Sequence, residues 1–167
     1  DYLELHKRYG CDLQVGGSDQ WGNILSGVEL IRRTTGDTAY AFSWPLLVDK
    51  TTGRKFGKSE GGAVWLDAAK TPVSEFYQFW FRISDDAVEE LLLKMTLLSK
   101  DEIALIMTEH VQEPSKRHAQ RVLARAVTEL AHSKDGVHLA EEVKDTLFVK
   151  AAGDITAADI AMLEQSR

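Results

Sequence analysis

The distribution of glycine most strongly limits what this chain can fold into. Ten of the 12 glycines fall within residues 1–62, and two lie beyond them. Glycine favours turns between short elements, whereas a long stretch with little glycine permits continuous helices. The sequence therefore predicts an α/β region over residues 1–70 and an all-helical region over residues 71–167, with a boundary near Thr71 and Pro72.

Charge is also divided unevenly between the two regions. The chain has 20 Lys and Arg residues against 26 Asp and Glu residues, a net charge of −6. Residues 1–70 carry 9 bases and 9 acids, so residues 71–167, with 11 bases and 17 acids, hold the whole excess. The hydrophobic fraction of 44% and charged fraction of 28% are typical of a globular protein and exclude a disordered or collagen-like chain.

Cysteine and histidine usage limits the compartment and the metal chemistry. Cys11 is the single cysteine, which excludes an intrachain disulfide and favours a reducing compartment. We interpret Cys11 as a buried small hydrophobe in a strand. No run of 18 apolar residues occurs, and the five histidines lack the spacing of metal ligands. We therefore expect a cytoplasmic protein with no membrane segment and no protein-bound metal.

The first region alternates helix and strand patterns. Alternating apolar residues predict strands, apolar residues three or four positions apart predict helices, and Gly10 and Gly36 mark helix ends. This order predicts an α/β fold. The predicted elements are a helix over 2–9, a strand over Cys11–Val15, a helix over 19–34 and an extended segment over Tyr40–Val48.

The second region shows helical patterns throughout. Ser84 is a candidate N-cap, and Ser99 with Glu102 and Thr156 with Asp159 have the spacing of capping boxes. Short loops predict antiparallel neighbours and hence a helical bundle with the aromatic stretch EFYQFWFR in its core. The predicted helices are one after Pro72, then 85–97, about 100–112, Pro114 to about 132, 137–148 after a break at Asp135 and Gly136, and a C-terminal segment.

Two segments have the composition of ligand-facing elements. The first, LQVGGSDQWGN, is a strand, a glycine turn and a helix start. Glycine lets a ligand approach the backbone closely, and a helix N-terminus offers N–H groups to phosphates, carboxylates or hydroxyls. Asp19 and Gln20 add side-chain acceptors and donors. The alternative is a structural turn in which Ser18 or Asp19 caps the following helix.

The second segment, TTGRKFGKS, is a basic loop flanked by glycines. Lys55 and Lys58 lie three positions apart, so both ammonium groups can reach one polyphosphate and stabilise charge that develops on it. The segment is not a Walker A loop, because the required spacing is absent. The alternative is a solvated basic loop. Because ligands in open α/β sheets bind beyond the carboxyl ends of the strands, we expect both segments at one sheet edge.

These two motifs carry a resemblance to a known family. GGSDQWGN followed by KFGKS resembles bacterial tyrosyl-tRNA synthetase, a class I aminoacyl-tRNA synthetase, and the helical tail is similar to the family's connecting helical domain. The resemblance implies a partial Rossmann-like nucleotide-binding fold followed by an antiparallel helical bundle. It also implies ATP-dependent activation of tyrosine to tyrosyl-adenylate, transfer to tRNA(Tyr), Mg²⁺ bound with ATP, and a homodimer.

The resemblance also implies a role for each residue that matches the motifs. These roles concern the tyrosine, the nucleotide and the pyrophosphate. Asp1 matches the acceptor of the tyrosine phenol and Gln20 the glutamine near the tyrosine carboxyl group, Gly17 and Asp19 match the groups that hold the ribose, Leu47 and Val48 line the adenine, and Lys55, Lys58 and Ser59 contact the pyrophosphate.

One signature of the family is absent from the chain. Class I synthetases carry a His-x-Gly-His string, and no such string occurs in these 167 residues. We therefore expect that the chain by itself does not activate tyrosine. Two other interpretations stay open, a tryptophanyl-type synthetase and a non-catalytic nucleotide- or RNA-binding module of the same fold.

The helix predicted after Pro114 carries a stripe of arginines. Arg117, Arg121 and Arg125 recur every four residues, which predicts one face that contacts phosphates of the tRNA anticodon arm. The alternative is a solvated face bonded to Glu113 and Glu129. The predicted core face on the opposite side consists of Ala119, Val122, Ala126 and Leu130.

Overall fold

The elements of the structure fall into two units. In a computed structural model of the chain, residues 1–48, 64–148, 150 and 154–165 are described. Contacts divide the chain into Asp1–Phe56 and Gly57–Arg167. The elements are α1 (Tyr2–Tyr9), β1 (Leu13–Gly17), α2 (Trp21–Thr35), β2 (Tyr40–Trp44), α3 (Val73–Phe81), α4 (Asp85–Met95), α5 (Lys100–Gln112), α6 (His118–Phe148) and α7 (Ala157–Gln165).

The first unit is built on a β–α–β arrangement. β1 and β2 pair in parallel, with Gly17 opposite Trp44 at their carboxyl ends. A parallel pair needs a crossover connection, and α2 supplies it. Gly16 faces α2, because a Cβ on Gly16 would lie 3.2 Å from Ile24 Cδ1. The unit is consistent with part of a Rossmann-like fold.

The sheet face turned away from α2 is apolar and exposed. Its large side chains are each between 50% and 59% exposed, and they are Leu13, Val15, Tyr40, Phe42 and Trp44. The ring centroids of Phe42 and Trp44 lie 5.9 Å apart. Parallel sheets in α/β proteins usually bury both faces. Within residues 1–48, helix packing covers one of them.

Helix α1 packs closely on α2 through a glycine. A Cβ on Gly27 would lie 2.8 Å from Tyr2 Cδ1, so the absence of a side chain allows the tyrosine ring to contact the α2 backbone. Tyr2 is 3% exposed, and its phenol donates a hydrogen bond to the Tyr40 carbonyl oxygen at 2.9 Å. Tyr2, Ile31 and Ala39 form the buried cluster that joins α1 to α2 and β2.

Two sequence predictions for this unit need correction. Cys11 precedes β1 and is partly buried against that cluster, so it is not a fully buried strand residue. Helix α2 begins at Trp21, and neither Ser18 nor Asp19 is its N-cap. The physical reason is that Gly17 continues the strand with φ −69° and ψ 160°, and a 3₁₀ turn over Ser18–Gln20 follows before the helix begins.

Helix α3 forms the core of the second unit, as its aromatic composition predicts. Phe76, Tyr77 and Trp80 are at most 5% exposed, and they pack against α6. The ring of Phe76 meets His132 edge-on, at a centroid distance of 4.8 Å. Burial of three large aromatic side chains supplies several kcal/mol of the hydrophobic stabilisation, at about 2–3 kcal/mol each.

Helix α6 is interrupted at Ser133, which has the non-helical angles φ 67° and ψ 178°. Arg125 and Glu141 lie eight residues on either side of it and approach to 3.5 Å. A straight helix would separate two residues 16 positions apart by about 24 Å. Helix α6 is therefore sharply bent at Ser133, and its two arms are inclined towards each other on the side of Arg125 and Glu141. The predicted break at Asp135 and Gly136 is displaced by two residues.

The core face of the first arm of α6 differs from the predicted one. Leu130 is 57% exposed, and Val122 and Ala126 are only partly buried. The buried set is Ala119, Gln120, Leu123, Ala124, Val127 and Thr128. Helix α6 as a whole contacts α3, α4 and α5. Because its neighbours lie on several sides, its buried stripe is wider than a simple amphipathic pattern.

The predicted capping boxes are both present. The Ser99 hydroxyl accepts from the Glu102 N–H at 3.3 Å, and the Glu102 carboxylate accepts from the Ser99 N–H at 2.8 Å. Thr156 and Asp159 make the reciprocal pair before α7 at 2.8 and 3.2 Å. Ser84 occupies the N-cap position of α4. Across the described ranges, no helix has the length and apolarity needed to cross a membrane.

A pH-dependent contact closes one end of the first unit. His6 Nε2 lies 3.1 Å from Asp37 Oδ2, and His6 Nδ1 lies 3.0 Å from the Cys11 carbonyl oxygen. The hydrogen bond with Asp37, and then that with Cys11, raises the pKa of His6 above its usual value. The hydrogen bond with His6 holds the pKa of Asp37 below its usual value.

We predict that Asp37→Asn lowers the pKa of His6, as measured by NMR titration of the imidazole protons. The His6 contribution to stability is complete below about pH 6.5 and is lost as pH rises through the raised pKa. The Asp37 contribution is present above about pH 4 and is lost as pH falls through the lowered pKa. An unchanged titration of His6 in Asp37→Asn would contradict the prediction.

We predict that Ser133→Gly stabilises the second unit by about 1 kcal/mol, because its angles belong to a region that is essentially restricted to glycine. Thermal unfolding measures the change as a rise in Tm. Ser74→Gly, within α3, is the matched control and should destabilise by about 0.5 kcal/mol, since glycine is a poorer helix residue than serine. An equal fall in Tm for both variants would contradict the prediction.

Candidate functional site

The predicted ligand-facing segment lies at the carboxyl end of β1. Because β1 and β2 are parallel, their carboxyl ends meet at one edge, where Gly17 pairs with Trp44. Ligands of open α/β sheets bind beyond this edge. The 3₁₀ turn Ser18–Gln20 and the N-terminus of α2 follow directly, so backbone N–H groups and a partial positive charge lie next to the strand ends.

Gly17 sits where a side chain would disturb the site. A Cβ at this position would lie 2.7 Å from Leu46 Cδ2 and 2.8 Å from Asp19 Oδ1. Both distances are shorter than side-chain atoms normally reach. Gly17 therefore allows Asp19 and the segment after β2 to approach the end of β1. Leu46 is a residue that sequence reasoning missed, since its apolar side chain gives no signal of a role at a site.

Gln20 and Asn23 add polar groups to the same edge. Asn23 Nδ2 donates to Gln20 Oε1 at 3.2 Å, which orients the glutamine amide. Asp19, Gln20 and Trp21 are exposed. No described atom lies within 4 Å of a Cβ placed on Gly22, so the first turn of α2 is open. This open, polar edge is suited to hydrogen bonds with hydroxyl, carboxylate or phosphate groups.

The other residues assigned to the tyrosine and the nucleotide lie in three different segments. Leu47 is partly buried and Val48 is 46% exposed, and both follow β2. Asp1 is exposed and precedes α1. Within residues 1–48, no hydrogen bond joins Asp1 to Gln20. Lys55, Lys58 and Ser59 lie outside the described residues, so their approach to this edge stays a prediction.

Arg117 differs from its predicted place on the helical stripe. It precedes α6 and has a left-handed backbone with φ 51°, so it does not share a helix face with Arg121. Its guanidinium donates to the carbonyl oxygens of Phe81 at 2.8 Å and Ile83 at 2.9 Å, and it lies 5.4 Å from the Phe81 ring centroid. Arg117 thus stabilises the turn between α3 and α4.

Arg121 and Arg125 are exposed residues on the first arm of α6. Among the described residues, Arg121 donates a single long hydrogen bond, 3.4 Å, to the Lys116 carbonyl oxygen. Arg125 pairs with Glu141, whose carboxylate also accepts from the Tyr77 phenol at 3.2 Å. Burial, together with the charge of Glu141, raises the pKa of Tyr77 well above its usual range.

Glu113 and Glu129, the acids expected to pair with the arginine stripe if it were a solvated face, pair with lysines instead. Glu113 pairs with Lys116 at 2.5 Å, and Glu129 lies 3.9 Å from Lys134. Among the described residues, no group of three metal-ligating side chains is arranged to hold an ion. A cavity of about 580 Å³ lies between α3 and the second arm of α6.

Comparison with known proteins decides the family. A family model described as tRNA synthetases class I (W and Y) matches residues 1–149. The chain belongs to this family. The match covers the glycine turn, the lysine loop and the helical region through α6.

Curated relatives are named tyrosine–tRNA ligase. The relative from Staphylococcus haemolyticus is 51% identical over 156 residues, which are 93% of this chain and 36% of the relative. Those from Roseiflexus castenholzii and Geobacillus stearothermophilus are each 46% identical over 161 residues, 96% of this chain and 38% of the relative. The chain thus spans little more than a third of the length of these relatives.

A solved structure has the same fold. The C-terminally truncated mitochondrial tyrosyl-tRNA synthetase of Aspergillus nidulans aligns with a TM-score of 0.71 and 38% sequence identity, over 89% of this chain and 44% of that chain. The corresponding Coccidioides posadasii structure aligns with a TM-score of 0.70 at 34% identity.

We predict that Gly17→Ala displaces the Asp19 carboxylate and the Leu46 side chain at a modest cost in stability. Both contacts are made by the ends of rotatable side chains, so the cost should be about 1 kcal/mol. Amide resonances of residues 18–20 should shift in the NMR spectrum. Gly22→Ala is the control, because it adds the same methyl group in open space and favours the helix. Unchanged resonances in Gly17→Ala would contradict the close approach.

Proposed function

We propose that this chain is part of an enzyme that activates tyrosine with ATP and transfers it to tRNA(Tyr). The observation that carries the proposal is an identity of 46–51%, over more than nine-tenths of the chain, to proteins named tyrosine–tRNA ligase. The open polar edge at Gly17, Asp19 and Gln20 supports it, because hydroxyl and carboxylate groups of a ligand need donors and acceptors of this kind.

The proposed roles follow the chemistry of each group. Gly17 and Asp19 hold the ribose, Gln20 contacts the tyrosine carboxyl group, and Asp1 accepts the phenol hydrogen bond. Leu47 and Val48 line the adenine. Lys55, Lys58 and Ser59 bind the pyrophosphate, and Mg²⁺ arrives with ATP and is held mainly by its phosphates.

The reaction asks mainly for positioning and for stabilisation of charge. The tyrosine carboxylate attacks the α-phosphate of ATP, and the bond to pyrophosphate breaks. No strong base is needed, because the attacking carboxylate is already ionised. The lysines stabilise negative charge that develops on the leaving pyrophosphate, and the residues at the strand ends hold the reacting groups together.

The second unit is proposed to bind tRNA. We infer that its helices form an antiparallel bundle over residues 71–167, joined to the catalytic part over residues 1–70. Arg121 and Arg125 are exposed on it and supply cations for phosphate contacts. Arg117 contributes indirectly, since its guanidinium is bonded to the α3–α4 turn. A homodimer in the cytoplasm is the proposed assembly.

A tryptophanyl-type enzyme is the second candidate, since the family model covers both amino acids. The two candidates differ in the amino acid that the site accepts. Amino-acid-dependent ATP–pyrophosphate exchange with tyrosine and with tryptophan therefore separates them.

We predict that a chimera in which these 167 residues replace the matching segment of the Geobacillus stearothermophilus relative catalyses tyrosine-dependent ATP–pyrophosphate exchange. The 167 residues alone should not, because the His-x-Gly-His string is absent from them. In the chimera, Lys55→Ala should lower the exchange rate by roughly 10²-fold, the usual effect of removing one charge-stabilising group.

The matched control is Lys7→Ala, which removes an exposed lysine of α1 and should leave exchange unchanged. A folded chimera that exchanges only with tryptophan would favour the second candidate. A folded chimera that exchanges with neither amino acid would overturn the proposal.

A further inference from the structure

The start of α4 is held by a cluster of polar side chains from two other helices. Asp85 is the first residue of α4, and its Oδ1 accepts from Gln120 Nε2 at 2.5 Å and lies 3.1 Å from His110 Nε2. Gln120 belongs to α6 and His110 to α5. We call Asp85, His110 and Gln120, together with Arg117, the polar clamp.

Arg117 attaches the same segment from a second direction. Its two hydrogen bonds to Phe81 and Ile83 hold the turn that leads into Asp85. The left-handed backbone of Arg117 ends the short 3₁₀ turn Pro114–Lys116 and aims the guanidinium at α3. The polar clamp therefore ties the beginning of α6 to the beginning of α4.

The protonation pattern of the clamp follows from its partners. The Asp85 carboxylate accepts, so His110 donates from Nε2. The Gln120 hydrogen bond, and then that of His110, hold the pKa of Asp85 below its usual range. Hydrogen bonds to an ionised acceptor are the stronger kind.

Burial makes the clamp costly to distort. His110 is 2% exposed and Gln120 is fully buried, whereas Asp85 contacts water. The remaining polar atoms, His110 Nδ1 and Gln120 Oε1, have no hydrogen-bond partner among the described atoms. If Asp85 moved away, two buried side chains would lose their described hydrogen bonds, and each loss costs about 1–3 kcal/mol. The clamp therefore fixes one arrangement of the three helices.

The segment that the clamp fixes carries a group of basic side chains. Lys116, His118 and Arg121 lie around a cavity of about 390 Å³, together with Glu109, Gln112 and Glu113. Lys116 pairs with Glu113, and His118 Nε2 lies 3.2 Å from Glu109. Arg121 keeps most of its donors free for a ligand, since its only described hydrogen bond is the long one to Lys116.

We propose that His110 and Asp85 are positioning residues for RNA binding by Lys116 and Arg121. This inference rests on the proposed tRNA-charging function. The polar clamp orders residues 113–121 before tRNA binds. The free energy of binding therefore does not include the entropy cost of ordering that turn. Neither residue needs to touch the RNA. Their effect passes through Gln120 and Arg117 to the start of α6.

The test uses His110→Phe, which fills the buried space but removes the donor to Asp85, and His110→Gln, which keeps an amide donor. In the chimera, His110→Phe should raise the KM for tRNA by roughly tenfold and leave ATP–pyrophosphate exchange unchanged. His110→Gln should restore most of the tRNA affinity. In the chain itself, His110→Phe should speed hydrogen exchange of the Lys116 and Arg117 amides, which now donate to Glu113 and Pro114.

A second pair of variants tests the inference even if His110→Phe fails to fold. Asp85→Ala should also raise the KM for tRNA. Asp101→Ala, which removes an exposed acid from the first turn of α5, should not. An unchanged KM in Asp85→Ala, or an equal rise in Asp101→Ala, would overturn the inference.

Arg121→Glu separates this inference from the proposed function. Suppose that Arg121→Glu raises the KM for tRNA while the His110 and Asp85 variants do not. In that case RNA binding by Lys116 and Arg121 is supported, and the polar clamp has no positioning role. If a chimera that catalyses exchange shows no change in tRNA KM with Arg121→Glu, the proposed RNA surface is wrong, and the inference falls with it.

Discussion

The break in α6 at Ser133 is the constraint on which the helical unit depends. It bends α6 sharply, and Phe76, Tyr77 and Trp80 of α3 are buried against this bent helix. The contact between Arg125 and Glu141 exists only because the helix bends. The backbone strain at one serine is thus offset by aromatic burial that a straight helix would not allow.

The glycine turn plays the corresponding part in the first unit. Gly17 extends β1 by two residues beyond the predicted strand end, and this moves the start of α2 to Trp21. The same lack of a side chain lets Leu46 and Asp19 approach the strand end. Strand length, helix start and the polar edge therefore depend on one small residue, and the site is formed mainly by backbone geometry.

Much of this organisation could be predicted from the sequence because local chemistry decides it. The capping boxes at Ser99 and Thr156 depend on residues close in sequence, and the burial of α3 follows from its own aromatic composition. The place of Arg117 could not be predicted, since its partners are carbonyls of a distant turn. The prediction of the buried face of α6 was wrong for a similar reason. Helices on several sides decide which of its residues are covered.

The apolar face of the β1–β2 sheet has a consequence for handling this polypeptide. Each of its five large side chains leaves half or more of its surface in water, at a cost of about 25 cal/mol for each Å². The first region has no net charge to oppose contact between molecules. Colloidal stability of the purified chain therefore depends on the acidic second region, and it will decline as salt screens that charge.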